Sequence, residues 1–195
     1  MTDAKVEAAK ADIEATGDLL ERALKLSGLI TRLFDEQGFP LVVVGGSAVE
    51  FHTEGNYMSG DIDFCRKTLK SIPPRLIQEI AERLGGEGLG RNWLICGLCV
   101  DFLGLLESET VIPERICKTP HGNVRILPPE LALVERVLYA EQDAECELSA
   151  RQMMAAALGD ASFDWAEAER LADLRDFKVL DRLKTLKREV SDARA

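Results

Sequence analysis

Asp61 and Asp63 stand two residues apart in Gly60-Asp61-Ile62-Asp63-Phe64, where polar and apolar positions alternate. That alternation predicts a half-buried strand, on which residues two apart point to one face. Two carboxylates held about 4 Å apart repel by about 4 kcal/mol at a surface-like effective dielectric. A chain that keeps such a pair offsets the repulsion with a metal ion, a proton or a basic partner; failing these, the pair is a solvated strand face. Oxygen-only ligands together with a phosphate substrate select Mg²⁺ or Mn²⁺.

A third carboxylate comes from Leu98-Cys99-Val100-Asp101-Phe102-Leu103. The apolar surroundings predict a central strand, with Asp101 sharing its face with Cys99 and Leu103. A lone carboxylate there is costly unless it is paired or metal-bound. If this strand lies beside that of Asp61, three acids converge, which suits two divalent ions about 3.5–4 Å apart. Upstream, the apolar run Leu41-Val42-Val43-Val44 ends at Gly45-Gly46-Ser47. Glycine lets main chain approach a phosphate, and a helix starting there offers unpaired N–H groups and a partial positive charge. By itself, Gly-Gly after a strand is as well read as a turn.

The elements that would hold these residues follow from periodicity and punctuation. Residues 5–37 read as helix, interrupted at Gly17 and stopped by Gly38 and Pro40. Residues 41–44 read as a buried strand, 47–52 as a short helix, and 61–64 as a strand. Pro73 and Pro74 open a helix to about Leu84. Gly85 to Gly90 form a turn-rich link, 92–104 hold one or two strands turning at Gly97, and 111–117 and 122–127 form a further pair. From Pro128 onward the pattern is helical, with breaks near Gly159-Asp160 and Arg175-Asp176 and an N-cap at Asp164. The expectation is an α/β (α+β) fold, a small mixed sheet flanked by helices over residues 1–127, followed by a helical extension over 128–195.

Composition narrows the class. With 195 residues, 46% hydrophobic and 30% charged, the chain reads as an ordinary globular protein of one domain, or of one domain plus a small helical extension. A net charge of −10 argues against broad binding to nucleic acid or anionic membrane. No apolar run approaches the roughly 20 residues of a bilayer span, and Met1 to Lys10 lack the apolar core of a signal peptide. Five cysteines, an odd number, read as reduced thiols of a cytoplasmic protein.

Taken together, Val43-Val44-Gly45-Gly46-Ser47, the thirteen-residue spacer Ala48 to Gly60, and Asp61-Ile62-Asp63 resemble the DNA polymerase β-like nucleotidyltransferase superfamily. The likeness is nearest to small prokaryotic members related to abortive-infection toxins, and extends weakly to Arg125–Leu131 and the helices beyond. The resemblance implies the nucleotidyltransferase fold, with Gly45, Gly46 and Ser47 at the triphosphate of an NTP. Asp61, Asp63 and Asp101 would bind Mg²⁺ (or Mn²⁺), and Asp101 would also act as the base on an incoming hydroxyl of RNA, protein or a small molecule. It implies equally a non-catalytic binding or regulatory module, one half of a toxin–antitoxin pair with a cognate antitoxin or homo-oligomer as partner. Where many toxin relatives carry basic residues this chain has Tyr57 and Glu135, leaving Arg66, Lys67 or Arg136 to replace them.

Other patterns carry less. Gly85-Gly86-Glu87-Gly88-Leu89-Gly90 follows a helix and precedes a strand, the reverse of a dinucleotide-binding order, and reads as a turn. Cys96, Cys99, Cys117 and His121 can be written as a zinc pattern by spacing, but apolar surroundings favour buried free thiols. His52 fits packing or substrate contact. Met153, Met154 and Trp165 read as helical core, and Lys184, Lys187 and Arg188 as a solvated face or a weak RNA-binding stripe.

Overall fold

The computed structural model describes residues 1–106, 114–142 and 144–194. Contacts divide the chain into two compact units, residues 1–47 with 59–126 and residues 48–58 with 127–195.

The first unit opens with two helices, α1 (Asp3–Ala15) and α2 (Leu19–Asp35), separated at Gly17 as its flexibility predicts. Asp18 caps α2 by accepting the Glu21 N–H at 2.8 Å. The strands are β1 (Leu41–Val44), β2 (Asp61–Arg66), β3 (Glu87–Leu89), β4 (Asn92–Ile95), β5 (Leu98–Leu105), β6 (Arg115–Lys118) and β7 (Asn123–Ile126). Between β1 and β2 lies α3 (Gly45–His52), and between β2 and β3 lies α4 (Pro74–Arg83). The strands form one mixed sheet in the order β3-β4-β5-β2-β1-β7-β6. β2 is antiparallel to β1 and parallel to β5, so the strand carrying Asp101 does lie beside the strand carrying Asp61.

Strand alternation sorts this sheet. Ile62, Phe64, Val100, Phe102, Trp93 and Ile95 are buried on one face, where Phe102 stacks on Phe64 with ring centroids 5.9 Å apart and meets Phe34 of α2 at 5.2 Å. Truncating Phe102 to alanine would cost about 3–5 kcal/mol. With the apolar positions committed there, Asp61, Asp63, Cys99 and Asp101 fall on the opposite face.

Three expectations shift. The Gly-rich stretch is more than a link: Glu87–Leu89 pair with β4 as an edge strand, and Trp93 donates its indole N–H to the Gly90 carbonyl at 3.1 Å. Gly88 is required there, because a Cβ would stand 2.2 Å from the Asn92 carbonyl oxygen. The short helix starts at Gly45 rather than Ser47. The strand expected over 111–117 is seen as Arg115–Lys118, and residues 111–113 lie outside the described residues.

The second unit contains most of α3, then α5 (Pro129–Tyr139), α6 (Ala144–Gly159), α7 (Trp165–Ala172) and α8 (Leu180–Arg194). α5 packs against α6, α7 and α8 around Leu131, Leu133, Met153, Met154, Leu171 and Leu183. Asp164 caps α7 as expected, accepting the Glu167 N–H at 3.0 Å. Trp165 is half-buried rather than core: it meets Phe163 at 4.7 Å and is covered by the Lys187 ammonium 3.4 Å from its ring centroid. Lys187 is thus spent on an aromatic ring, and Lys184 faces Glu169 at 3.8 Å.

Candidate active site

β1 ends where the main chain must reverse its hand. Gly45 has φ of +64°, a conformation that costs an L-residue about 1–2 kcal/mol. A Cβ at this position would lie 2.2 Å from Oδ2 of Asp63, so glycine also lets that carboxylate rest against the turn. Ser47 lies two residues further, fully buried. Its hydroxyl donates to the Val44 carbonyl at 2.9 Å and accepts the Asp63 N–H at 3.1 Å. The serine thereby ties the end of β1 to the middle of β2 and fixes the height at which Asp63 leaves the sheet.

Register does the rest. In the parallel β2–β5 ladder Asp63 stands opposite Asp101, and Asp61 opposite Cys99. Asp101 is also opposite Asn92 of β4, so it sits between two neighbours on the same face. Its side chain is 13% exposed, and Oδ1 is buried without a hydrogen-bond partner. The cation facing that oxygen is Arg91, whose Nε stands 3.5 Å away while its own side chain is 64% exposed. Asp61, at the mouth, accepts a hydrogen bond from the Ser59 hydroxyl at 3.1 Å. A cleft of about 500 Å³ opens beside these groups, lined by Asp61, Asn92, Leu94, Cys99 and Asp101 among others.

The donor set is all-oxygen apart from the Cys99 thiol, and the orphaned Asp101 Oδ1 together with the cradle at Gly45 fits a small hard cation. Asp63 and Asp101 are the pair best placed to hold one. Among the described residues, no three His, Cys, Asp or Glu side chains stand close enough together to enclose a metal ion.

No protein-family model and no curated protein matches the chain. Among solved structures, an antigenic nucleotidyltransferase-like protein from Paracoccidioides brasiliensis is similar, with a TM-score of 0.55 at 13% identity over 87% of this chain and 94% of that one. The fold is a nucleotidyltransferase fold. Two structures of ANT(2'')-Ia, one in solution as an antibiotic-resistance factor and one crystallised with adenylyl-2''-tobramycin, also align. Both have TM-scores of 0.44, at 18% and 17% identity, over 84% and 86% of this chain and 88% and 95% of theirs. At that similarity they say nothing of this chain's chemistry.

Within the nucleotidyltransferase fold, the residues singled out by spacing fall together: Gly45, Gly46 and Ser47 at the end of β1, Asp61 and Asp63 on β2, Asp101 across the ladder. The zinc pattern does not assemble. His121 is engaged by Asp12, with Nε2 and Oδ2 2.8 Å apart, and Cys99 alone of its set faces the carboxylates. Burial pushes the Cys96 thiol up from its ordinary value. His52 donates from Nε2 to the Leu127 carbonyl at 2.7 Å, a packing role. Tyr57 is buried, with its hydroxyl donating to Glu145 at 3.3 Å and its phenol raised by burial.

Arg91 is the residue that spacing arguments overlook. It sits ten positions from Asp101 in a Gly-rich turn, and only the β3–β4–β5 meander brings it alongside. The signal available in the sequence was a single arginine at the end of the Gly-rich stretch, just before the strand β4 that pairs with the strand carrying Asp101.

Proposed function

We propose that this chain transfers a nucleoside monophosphate from an NTP to a hydroxyl group with release of pyrophosphate, using a divalent cation held by Asp63, Asp101 and Asp61. The observation that carries the reading is the placement of Asp63 opposite Asp101 beside the Gly45 turn, on a nucleotidyltransferase fold. Bound there, Mg²⁺ or Mn²⁺ would neutralise charge on the phosphate chain and polarise the α-phosphorus. The chain's own residues supply the rest. Main-chain N–H groups at the start of α3 face the phosphates, and Gly45 and Gly46 allow their approach. Ser47 acts through main chain, holding Asp63 at its height. Asp101, buried at Oδ1, is the base placed to take a proton from the acceptor hydroxyl. The acceptor is RNA, protein or a small molecule.

The test is incubation with labelled NTPs, Mg²⁺ or Mn²⁺, and total tRNA or cell lysate, followed by separation of whatever takes up label. Label transfer lost in Asp63→Asn supports the reading. No transfer, and no rise in melting temperature with any NTP at millimolar Mg²⁺, overturns it.

A second reading is a non-catalytic module of the same fold. Its support is the Arg91–Asp101 contact, which already supplies a positive charge at the third acid, and the internal engagement of the Ser47 hydroxyl. That reading requires nucleotide or protein binding without turnover.

A further inference from the structure

We infer that Arg91 is the cation that receives the nucleotide's phosphate chain, an assignment that rests on the nucleotidyl-transfer reading above. A triphosphate approaching three carboxylates needs positive charge beyond that of a metal ion. The basic residues nearest in sequence to the Asp-x-Asp pair are committed elsewhere. Arg66 donates from Nη1 to the Thr68 carbonyl, and Lys67 is ion-paired with Glu114. Arg136, on α5, lies over the Tyr139 ring with its guanidinium carbon 5.9 Å from the centroid.

Arg91 is anchored and uncommitted at once. Its main-chain carbonyl accepts the Phe102 N–H at 2.9 Å, and the next residue, Asn92, pairs with Asp101 in the ladder. The turn before it is fixed by Gly90, with φ of +67°. The Cα is therefore held beside the third acid while the side chain stays mostly in solvent. Arg83, Arg125 and Arg151 all spend a terminal guanidinium nitrogen on a carbonyl or a carboxylate. The terminal nitrogens of Arg91 make no such bond among the described residues; its one contact is the loose 3.5 Å approach of Nε to Asp101. An ion pair so exposed contributes little and is easily exchanged. A guanidinium fork matches two phosphate oxygens better than one carboxylate oxygen reached from the side. In the absence of nucleotide, Arg91 balances Asp101. When Asp101 serves a divalent cation, the fork is released within reach of the phosphates that accompany it.

This arrangement has a signature that a merely structural arginine lacks. Removing Arg91 should weaken phosphate binding and leave divalent-cation binding intact or tighter, because a competitor for Asp101 has gone. The experiment compares the wild-type chain, Arg91→Ala and Arg91→Lys. Mn²⁺ alone is titrated by paramagnetic resonance of the free ion, and Mn²⁺ with each NTP or with inorganic tripolyphosphate by calorimetry. Arg91→Ala is expected to weaken NTP and tripolyphosphate binding roughly tenfold or more, with Mn²⁺ affinity unchanged or raised and the melting temperature unchanged. Arg91→Lys, which keeps charge but loses the fork, should fall between. Equal phosphate affinity in wild type and Arg91→Ala overturns the assignment while leaving the site intact. A parallel loss of Mn²⁺ and phosphate binding overturns it too, by showing a structural role. A wild-type chain that binds Mn²⁺ but no NTP overturns the nucleotidyl-transfer reading instead.

Discussion

On the helical unit Arg151 is shared by Glu147 and Glu189, both at 2.9 Å, Arg170 is gripped by Glu167 at 2.6 Å, and Arg182 reaches Glu141 at 3.4 Å. On the open face of β2 and β5, Asp61 has a serine hydroxyl, Asp63 rests against a glycine turn, and Asp101 faces one arginine too far away to hydrogen-bond its buried oxygen. In the helical unit these arginines are each met by a glutamate. The sheet gathers acids on one face, and there Oδ1 of Asp101 is buried without a hydrogen-bond partner. Paired surface charges add little stability, whereas a buried carboxylate oxygen without a hydrogen-bond partner carries a desolvation cost that a bound cation would relieve. The second arrangement is the one with work left to do.

The sharpest break in that contrast is a matched pair of charge-removing substitutions. Asp63→Asn should lower nucleotidyl transfer at least about a hundredfold, and Glu147→Gln should leave it unchanged, measured by label uptake under identical Mg²⁺. Equal losses would mean that the sheet acids have no special standing. Next in size is Gly45→Ala. The left-handed backbone and the 2.2 Å approach to Asp63 Oδ2 together should cost about 2 kcal/mol, read by denaturant unfolding, and transfer should fall with it. Full stability in this variant would show that the turn does not hold Asp63 as described.

Within the helical unit two carboxyls should titrate in opposite senses. Burial raises the Glu135 carboxyl, partly opposed by Arg136, so the folded state favours its protonated form. Stability from this group is present at low pH and lost as pH rises through the folded value. Glu135→Gln should therefore melt higher than wild type at pH 7, with the gap closing as pH falls. Arg170 instead holds the Glu167 carboxyl below its ordinary value. That contribution is present at neutral pH and is lost as pH falls through the folded value, so Glu167→Gln should melt lower at pH 7. Thermal melts of both variants from pH 4 to 8 check the two signs against each other. The smallest effect belongs to Arg151→Ala, which should cost less than about 1 kcal/mol, shrinking with added salt. A larger loss in chemical denaturation would place the helical ion pairs among the main supports of the fold.

The strand bearing Asp61 and Asp63 was legible because period-two alternation also tells which residues share a face, and the end of β1 was legible because two glycines end a β-branched run. The edge strand Glu87–Leu89 was not, since three exposed residues rich in glycine have no periodicity of their own and become a strand only against β4. Trp165 read as helical core, yet it is half-buried, with Phe163 against it and a lysine from α8 over its ring.

The sequence by itself determined the chemistry on offer: three carboxylates, a glycine turn before a helix, and the strand periodicity that turns Asp61 and Asp63 the same way. Those are local properties, set by side-chain type and by spacing along one element. Only the tertiary structure decided that β5 runs parallel beside β2 with Asp101 opposite Asp63, that the Ser47 hydroxyl is spent holding main chain, and that Arg91 arrives beside Asp101 from a hairpin tip. Strand order and register arise from which apolar faces find each other across the sheet. That selection is non-local, and no spacing within a single segment encodes it.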